Sequence, residues 1–226
     1  MTTPTTATSA IDLPLGTTFD GAPVSWRLTD TEGRPQHGLI VGPMGSGGTT
    51  ALARLCRAAR GVDADIHPAV VDLDHGPDYY DPAWKRTLPG AWCKTDTELV
   101  RELGEAHEHA DDVVDGLILL LVDGDRALRT DPAGWERLLQ AADRLHVAVV
   151  ARVHSVDADH LGSAALREGL LACGQYLALG RPMGTAQSLA QTLLPGYAVP
   201  AGRQKPGRGV YGYRGDTVPV VVSNPR

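Results

Sequence analysis

Apolar residues in this chain fall into short unbroken runs, separated by segments in which they recur every three or four positions. The first pattern marks buried strands and the second marks helices with one inward face. His37 to Val41 is such a strand, and Thr49 to Arg60 follows with Leu52, Leu55 and Cys56 at helical spacing before Gly61 stops it. Ala69 to Leu73 is a second strand, leading into an acidic, aromatic loop from Asp74 to Trp84. Thr95-Asp96-Thr97-Glu98 reads as the start of a helix reaching about His109. Leu117 to Val122 is the longest apolar strand, and Val147 to Ala151 and Tyr176 to Leu179 are two more. Between and after them lie helices over Pro132 to Leu145, with Trp135, Leu138, Leu139 and Ala142 inward, Ala164 to Cys173, and Thr185 to Leu194.

The ends of the chain read differently. Ala22 to Leu28 alternates apolar and polar like an edge strand. Val210 to Tyr213 and Val218 to Val222 flank Arg214-Gly215-Asp216 and read as a C-terminal β-hairpin. The first 18 residues are polar and nearly uncharged and are expected to form a disordered arm, leaving residues 19–226 as one domain. Apolar strands alternating with amphipathic helices predict an α/β fold, with a mostly parallel sheet covered by helices on both faces. Such sheets bind ligands at the carboxyl ends of their strands.

Composition narrows the function classes. A net charge of −6 argues against a free-standing, non-specific nucleic-acid binder. Cys56, Cys93 and Cys173 form no C-x-x-C pair, so a zinc site or disulfide framework is not indicated and a reducing cytoplasm is the expected location. No apolar run approaches the roughly 18 residues of a membrane span, and the N-terminus lacks the basic and apolar regions of a signal peptide.

The chemistry concentrates in Gly42-Pro43-Met44-Gly45-Ser46-Gly47-Gly48-Thr49-Thr50. The phosphate-loop pattern G-x-x-x-x-G-K-[ST] is met at Gly42, Gly47 and Thr49, but Gly48 stands where lysine belongs. Glycines let backbone N–H groups approach an anion, and the following helix directs its positive end to the same point. Thr49 is placed to bind Mg²⁺ through its hydroxyl. The bland alternative is a glycine-rich turn joining strand to helix.

Leu117 to Val122 ends in Asp123-Gly124-Asp125. An apolar strand ending in an acid is the Walker B arrangement, with Asp123 in the Mg²⁺ shell. Many such ATPases carry glutamate next, but here Gly124 holds that place. Asp125 is then the nearest acid able to position the attacking water. Asp72 and Asp74 form a D-x-D after a strand, yet an aspartyl phosphatase wants that pair on its first strand, so a strand-end loop is the better reading. Arg203, Lys205, Arg208 and Arg214, interleaved with Tyr211 and Tyr213, make a basic hairpin that reads either as a DNA or partner contact or as a solvated surface. His107 and His109 lie on different helical faces and suggest no shared metal.

In order and spacing these segments resemble the RecA-like motor domain of the FtsK/SpoIIIE group, including TraB-like transfer proteins and the ATPase domains of type VII secretion. The likeness covers residues 20 to 223 through GLIVGPMGSGGTTALARL, AVVDLDHGPDYY, LILLLVDGDRAL, LHVAVVARVHS, GQYLALGRPMGTAQSLAQTLL and PGRGVYGYRGD. It implies a RecA-like P-loop NTPase that binds ATP and Mg²⁺, works in DNA translocation, transfer or partitioning, and acts as a homo-oligomer or beside a competent ATPase partner. Arg181 matches the place where ring ATPases expose an arginine to the adjacent nucleotide. The departures are Gly48 for lysine, Gly124 for glutamate, and Arg152-Val153 where the family has a T-Q pair. Losing the lysine removes charge-assisted contacts of about 1.5–3 kcal/mol each. A lost catalytic group in phosphoryl transfer costs up to about 10³–10⁵-fold in rate. A weak or dead ATPase follows, unless Arg54, Lys85 or a neighbouring subunit's arginine compensates. The rival from another class is a non-catalytic scaffold or partner subunit of a translocation or secretion complex.

Overall fold

A computed structural model describes residues 10–62, 64–73, 101, 116–198, 200–202 and 204–222. The helix expected from Thr95 to His109 apart from Arg101, the loop from Asp74 to Trp84, Lys85, Cys93 and Arg203 lie outside the described residues.

The described strands form a single nine-stranded sheet. They are β1 (Asp12–Thr17), β2 (Pro23–Arg27), β3 (Gly38–Val41), β4 (Ile66–Val71), β5 (Leu117–Asp123), β6 (Val147–Val153), β7 (Gln175–Leu179), β8 (Arg208–Tyr213) and β9 (Asp216–Val221). Their spatial order is β2-β1-β9-β8-β7-β3-β6-β5-β4. From β7 to β4 every pairing is parallel, and from β7 to β2 every pairing is antiparallel. The sheet is therefore mixed, which corrects the expectation of a mostly parallel one. The cause is the C-terminal hairpin, which adds to the edge of β7 and gives β1 a place beside β9.

β1 also corrects the expected arm over residues 1–18. Leu13 and Leu15 alternate inward and are fully buried, so this segment gains more from burial than from remaining solvated. Its polar flanks hide that signal. β2 is the edge strand the alternation predicted, with Val24 and Trp26 inward.

Two cores lie on the two faces of the sheet. Along β5, Leu117, Leu119 and Leu121 enter one core while Leu120 and Val122 enter the other, as period-two geometry requires. The first core is closed by helix α1 (Gly48–Ala59), which buries Ala51, Leu52, Leu55, Cys56 and Ala59. The second is closed by α2 (Asp125–Thr130), α3 (Pro132–Leu145), α4 (Ala158–Leu161), α5 (Ala164–Leu171) and α6 (Gly184–Leu193). α3 spans the predicted residues, starting with proline at its first turn and the Asp131 side chain accepting from Gly134 N at 2.9 Å. Its inward stripe buries Trp135, Leu138 and Ala142, with Leu139 half-buried.

Candidate phosphate-binding site

β3 runs through the middle of the parallel half, between β6 and β7, and all four of its residues are buried. At its carboxyl end the chain must reverse into α1 within six residues, and the glycines make that turn possible. Gly45 and Gly47 adopt φ of 76° and 100°, which glycine alone takes without strain. A Cβ on Gly42 would press on Ser46 Oγ and approach Leu179 O to 2.7 Å, so the loop closes tightly over its own start.

The loop is held from two sides. Ser46 N donates to Pro43 O at 3.0 Å within it, and Gly207 N donates to Ser46 O at 2.7 Å from the turn before β8. Gly180, after β7, lies against Pro43 and Ser46. Pro43, Met44 and Gly45 are exposed at the tip, while Thr49 and Thr50 are half-buried in the first turn of α1.

That first turn has no side-chain cap, a feature it shares with α2, α4 and α6, and it follows the glycine loop directly. α3 and α5 begin with Asp131 and Ser163, whose side chains accept backbone N–H groups. α1 begins with Gly47, which has no side chain to do so, and no acid stands in its first turn. The amides and the positive end of the helix are left directed at the loop, the usual arrangement for an anion.

β5 brings Asp123 to the same end of the sheet, one strand removed from β3, because β6 lies between them. Asp123 is 1% exposed and pairs in register with Arg152 of β6. Arg152 Nε lies 3.5 Å from Asp123 Oδ1, an ion pair with little exposure on either side. The same arginine covers Gly48: a Cβ there would come within 2.8 Å of Arg152 Cγ and 3.0 Å of its Nε. Asp125 opens α2 and its Oδ1 accepts from His154 N at 2.9 Å, with His154 Nδ1 3.5 Å from Oδ2.

The fold thus brings the glycine loop, Thr49, Asp123 and Asp125 to one end of the sheet. Thr49 and Asp123 are the donor set expected for Mg²⁺. As arranged here that set does not fit a divalent ion, because the carboxylate already faces a guanidinium. Arg181 is exposed and follows Gly180, the residue that lies against the loop. Arg54 does not compensate for the missing lysine, since its Nε donates to Pro14 O of β1 at 3.3 Å.

The basic hairpin is not one patch. Arg208 and Arg214 flank β8, roughly 20 Å apart at strand rise. Arg208 lies over the Phe19 ring, and Arg214 lies over Tyr213 and 3.8 Å from Asp30. Tyr211 is buried against Trp26 with its hydroxyl on Gln175, so it offers no face to a base. Lys205 and Arg208 instead flank the Gly207 contact to the loop. Sequence reasoning did not assign a role to Arg152, Gly180 or Gly207. The available signal was a long cation on the strand beside Asp123 in a chain whose loop lacks lysine.

No family model and no curated protein sequence matches this chain. Solved structures do. It is similar to the cytoplasmic domain of the type VII secretion ATPase EccC of Thermomonospora curvata, at 16% identity and a TM-score of 0.67, over 95% of this chain and 26% of that one. The cytoplasmic domain of EssC matches at 16% identity and a TM-score of 0.63, over 94% of this chain and 43% of that one. VirB4 of Thermoanaerobacter pseudethanolicus matches at 11% identity and a TM-score of 0.62, over 93% of this chain and 96% of that one. The chain thus spans about a quarter of the EccC structure and under half of the EssC structure. At these identities the likeness shows the fold alone.

Proposed function

We propose that this chain is a nucleotide-binding domain of a translocation or secretion assembly, holding the phosphates of ATP on the loop from Gly42 to Thr50. The observation that carries this reading is the uncapped start of α1 facing a loop with two glycines at positive φ. The fold shared with EccC, EssC and VirB4 supports it. The narrower assignment, to FtsK/TraB-like motors of DNA transfer or partitioning, rests on the motif order. In a ring or beside a competent ATPase, exposed Arg181 would face a neighbour's nucleotide.

Hydrolysis in this reading is slow or absent. In-line attack needs a base near the water and cations on the γ-phosphate. Here Asp125 is already bonded to His154 N, and the loop has no lysine. The second reading, a non-catalytic partner subunit, draws on the same two observations. Fast turnover abolished by Asp123→Ala would overturn the expectation of slow hydrolysis and the non-catalytic reading.

Titration with a fluorescent ATP analogue tests binding. A Cβ at Gly45 meets nothing within 4 Å, so Gly45→Asp adds a negative charge at the exposed tip, and Gly45→Asn, with the same backbone strain at φ 76° and no charge, is its control. We expect saturable binding that Gly45→Asp weakens about tenfold, the size of one charge-assisted contact. No saturable binding at millimolar analogue would sink the reading.

A further inference from the structure

We propose that Arg152 is the cation of the phosphate loop, in place of the missing lysine, and that it makes nucleotide binding independent of divalent metal. The inference deepens the nucleotide-binding reading above and rests on it. Gly48 and Arg152 are complementary in shape. Removing every side-chain atom at position 48 opens a space over the start of α1, and the Cγ, Cδ and Nε of Arg152 fill it. Any residue larger than glycine at 48 would have to displace that stem, whose surroundings leave only 14% of the side chain exposed. The cation that a phosphate loop carries on its helix is here supplied from β6, the strand next to β3, with Arg152 in register with Ile40, one residue before the end of β3.

The second half of the inference comes from charge. Arg152 Nε is 3.5 Å from Asp123 Oδ1, and Asp123 is the carboxylate that would otherwise help hold Mg²⁺. A guanidinium carries five N–H donors in a planar fork, so an ion pair to Asp123 on its Nε side leaves donors for phosphate oxygens. One fixed side chain thereby neutralises the buried acid and offers the charge that lysine and metal share elsewhere. A divalent ion added at Asp123 would meet like charge at close range. Binding is therefore carried by the loop amides and Arg152, and metal adds nothing to it.

The test is a titration of ADP and ATP against wild type, Arg152→Gln, Arg152→Lys and the double variant Gly48→Lys/Arg152→Ser, each in excess EDTA and in millimolar Mg²⁺. Thermal melting without ligand confirms that each variant is folded. Glutamine keeps much of the stem over Gly48 and a donor towards Asp123, so the fold is retained while the charge is lost. For wild type we expect affinities in EDTA and Mg²⁺ that agree within about threefold. Arg152→Gln should lose about 10- to 100-fold, the range for charged hydrogen bonds, and Arg152→Lys less. The double variant, with lysine on the helix and Asp123 released, should bind tightly only with Mg²⁺. A purely structural arginine would not switch metal dependence in this way. Wild type that needs Mg²⁺, or Arg152→Gln that binds as well as wild type or better, overturns the inference and leaves the nucleotide reading standing. Absence of binding in wild type and in the double variant overturns the reading itself.

Discussion

The two ends of the parallel sheet treat their buried polar groups in opposite ways. At the amino end, a cleft of about 430 Å³ is lined by Asp30, Gln36, His37, Cys173 and Arg214 among others. Asp30, His37 and Cys173 are bonded to the backbone there. Asp30 Oδ1 accepts from the backbone of Glu32 and Arg34, Val149 N donates to His37 Nδ1, and His37 N donates to Cys173 Sγ. At the carboxyl end, the first-turn amides of α1 have no side-chain cap, and the Arg152–Asp123 pair borders the open loop. Satisfied groups define a structural region, and groups directed at solvent across a flexible-residue loop define a binding one. Substitutions at the amino end should therefore change stability, and those at the carboxyl end should change binding.

The largest test of that separation is Gln175→Leu. Gln175 is fully buried at the start of β7. Its Oε1 accepts from Arg27 N at 2.9 Å and Tyr211 Oη at 2.6 Å, and its Nε2 donates to Arg27 O at 3.0 Å. It is the polar link between β7 and the edge strand β2. Leucine would strand the Arg27 amide and carbonyl and the Tyr211 hydroxyl, at about 1–3 kcal/mol each, and Tyr211 Oη recovers part by its 3.3 Å contact to Arg27 N. We expect a loss of roughly 3–5 kcal/mol in urea unfolding, with nucleotide affinity of the folded protein unchanged. A matching loss of affinity would mean the two ends are not separable.

A smaller effect comes from pH. Burial lowers His37 from its ordinary 6.5 to about 4. Its Nδ1 accepts from Val149 N, so a proton there would set donor against donor. In the unfolded chain the imidazole binds its proton near 6.5, while the folded protein holds it neutral down to about 4. Within that window the unfolded state binds more protons, so the contribution of His37 is complete above 6.5 and is lost as pH falls towards 4. The loss amounts to about 3 kcal/mol at most. Asp30 acts lower: burial pushes its carboxyl up, but hydrogen bonds from Arg34 and Glu32 outweigh that and leave it below its ordinary value. His37→Asn, which keeps an acceptor for Val149 N, should flatten the stability profile between 6.5 and 4. A wild-type profile that is already flat there would remove His37 from the account.

Much of this division was legible in the sequence, for reasons that differ by element. The strands β3, β5, β6 and β7 are continuous apolar runs because helices or loops cover both faces, and such runs are hard to mistake. α3 announced itself through Asp131, Pro132 and a regular stripe. β1 did not, since only Leu13 and Leu15 point inward; its main partner β2 is local, but the contact that joins this pair to the sheet, Thr17 beside Val221 of β9, lies some 200 residues away in the chain. For the same reason the mixed character of the sheet was invisible: a hairpin can be read locally, but the strand it joins cannot. At the site, the loop and Asp123 were found by spacing. Arg152 escaped because its role is set by two contacts across strands, to Gly48 and to Asp123, and neither leaves a mark at fixed spacing.

The smallest test compares a capped helix with the uncapped one. Asp131→Ala removes the acceptor for Gly134 N at the start of α3 and should cost about 1 kcal/mol, the usual value of an N-cap. α1 has no such bond to lose, because Gly47 has no side chain to accept from its amides. Bound nucleotide should then act on α1 as the side chain acts on α3, stabilising the native state by mass action as ligand exceeds its dissociation constant. In thermal melts, saturating ATP is expected to raise the midpoint of wild type and of Asp131→Ala by the same increment, since the two helix starts lie at different sites and share no partner. A nucleotide shift that shrinks in Asp131→Ala would show that the cap on α3 and the loop on α1 are coupled. That result would replace the division between structural and binding ends with a single cooperative unit.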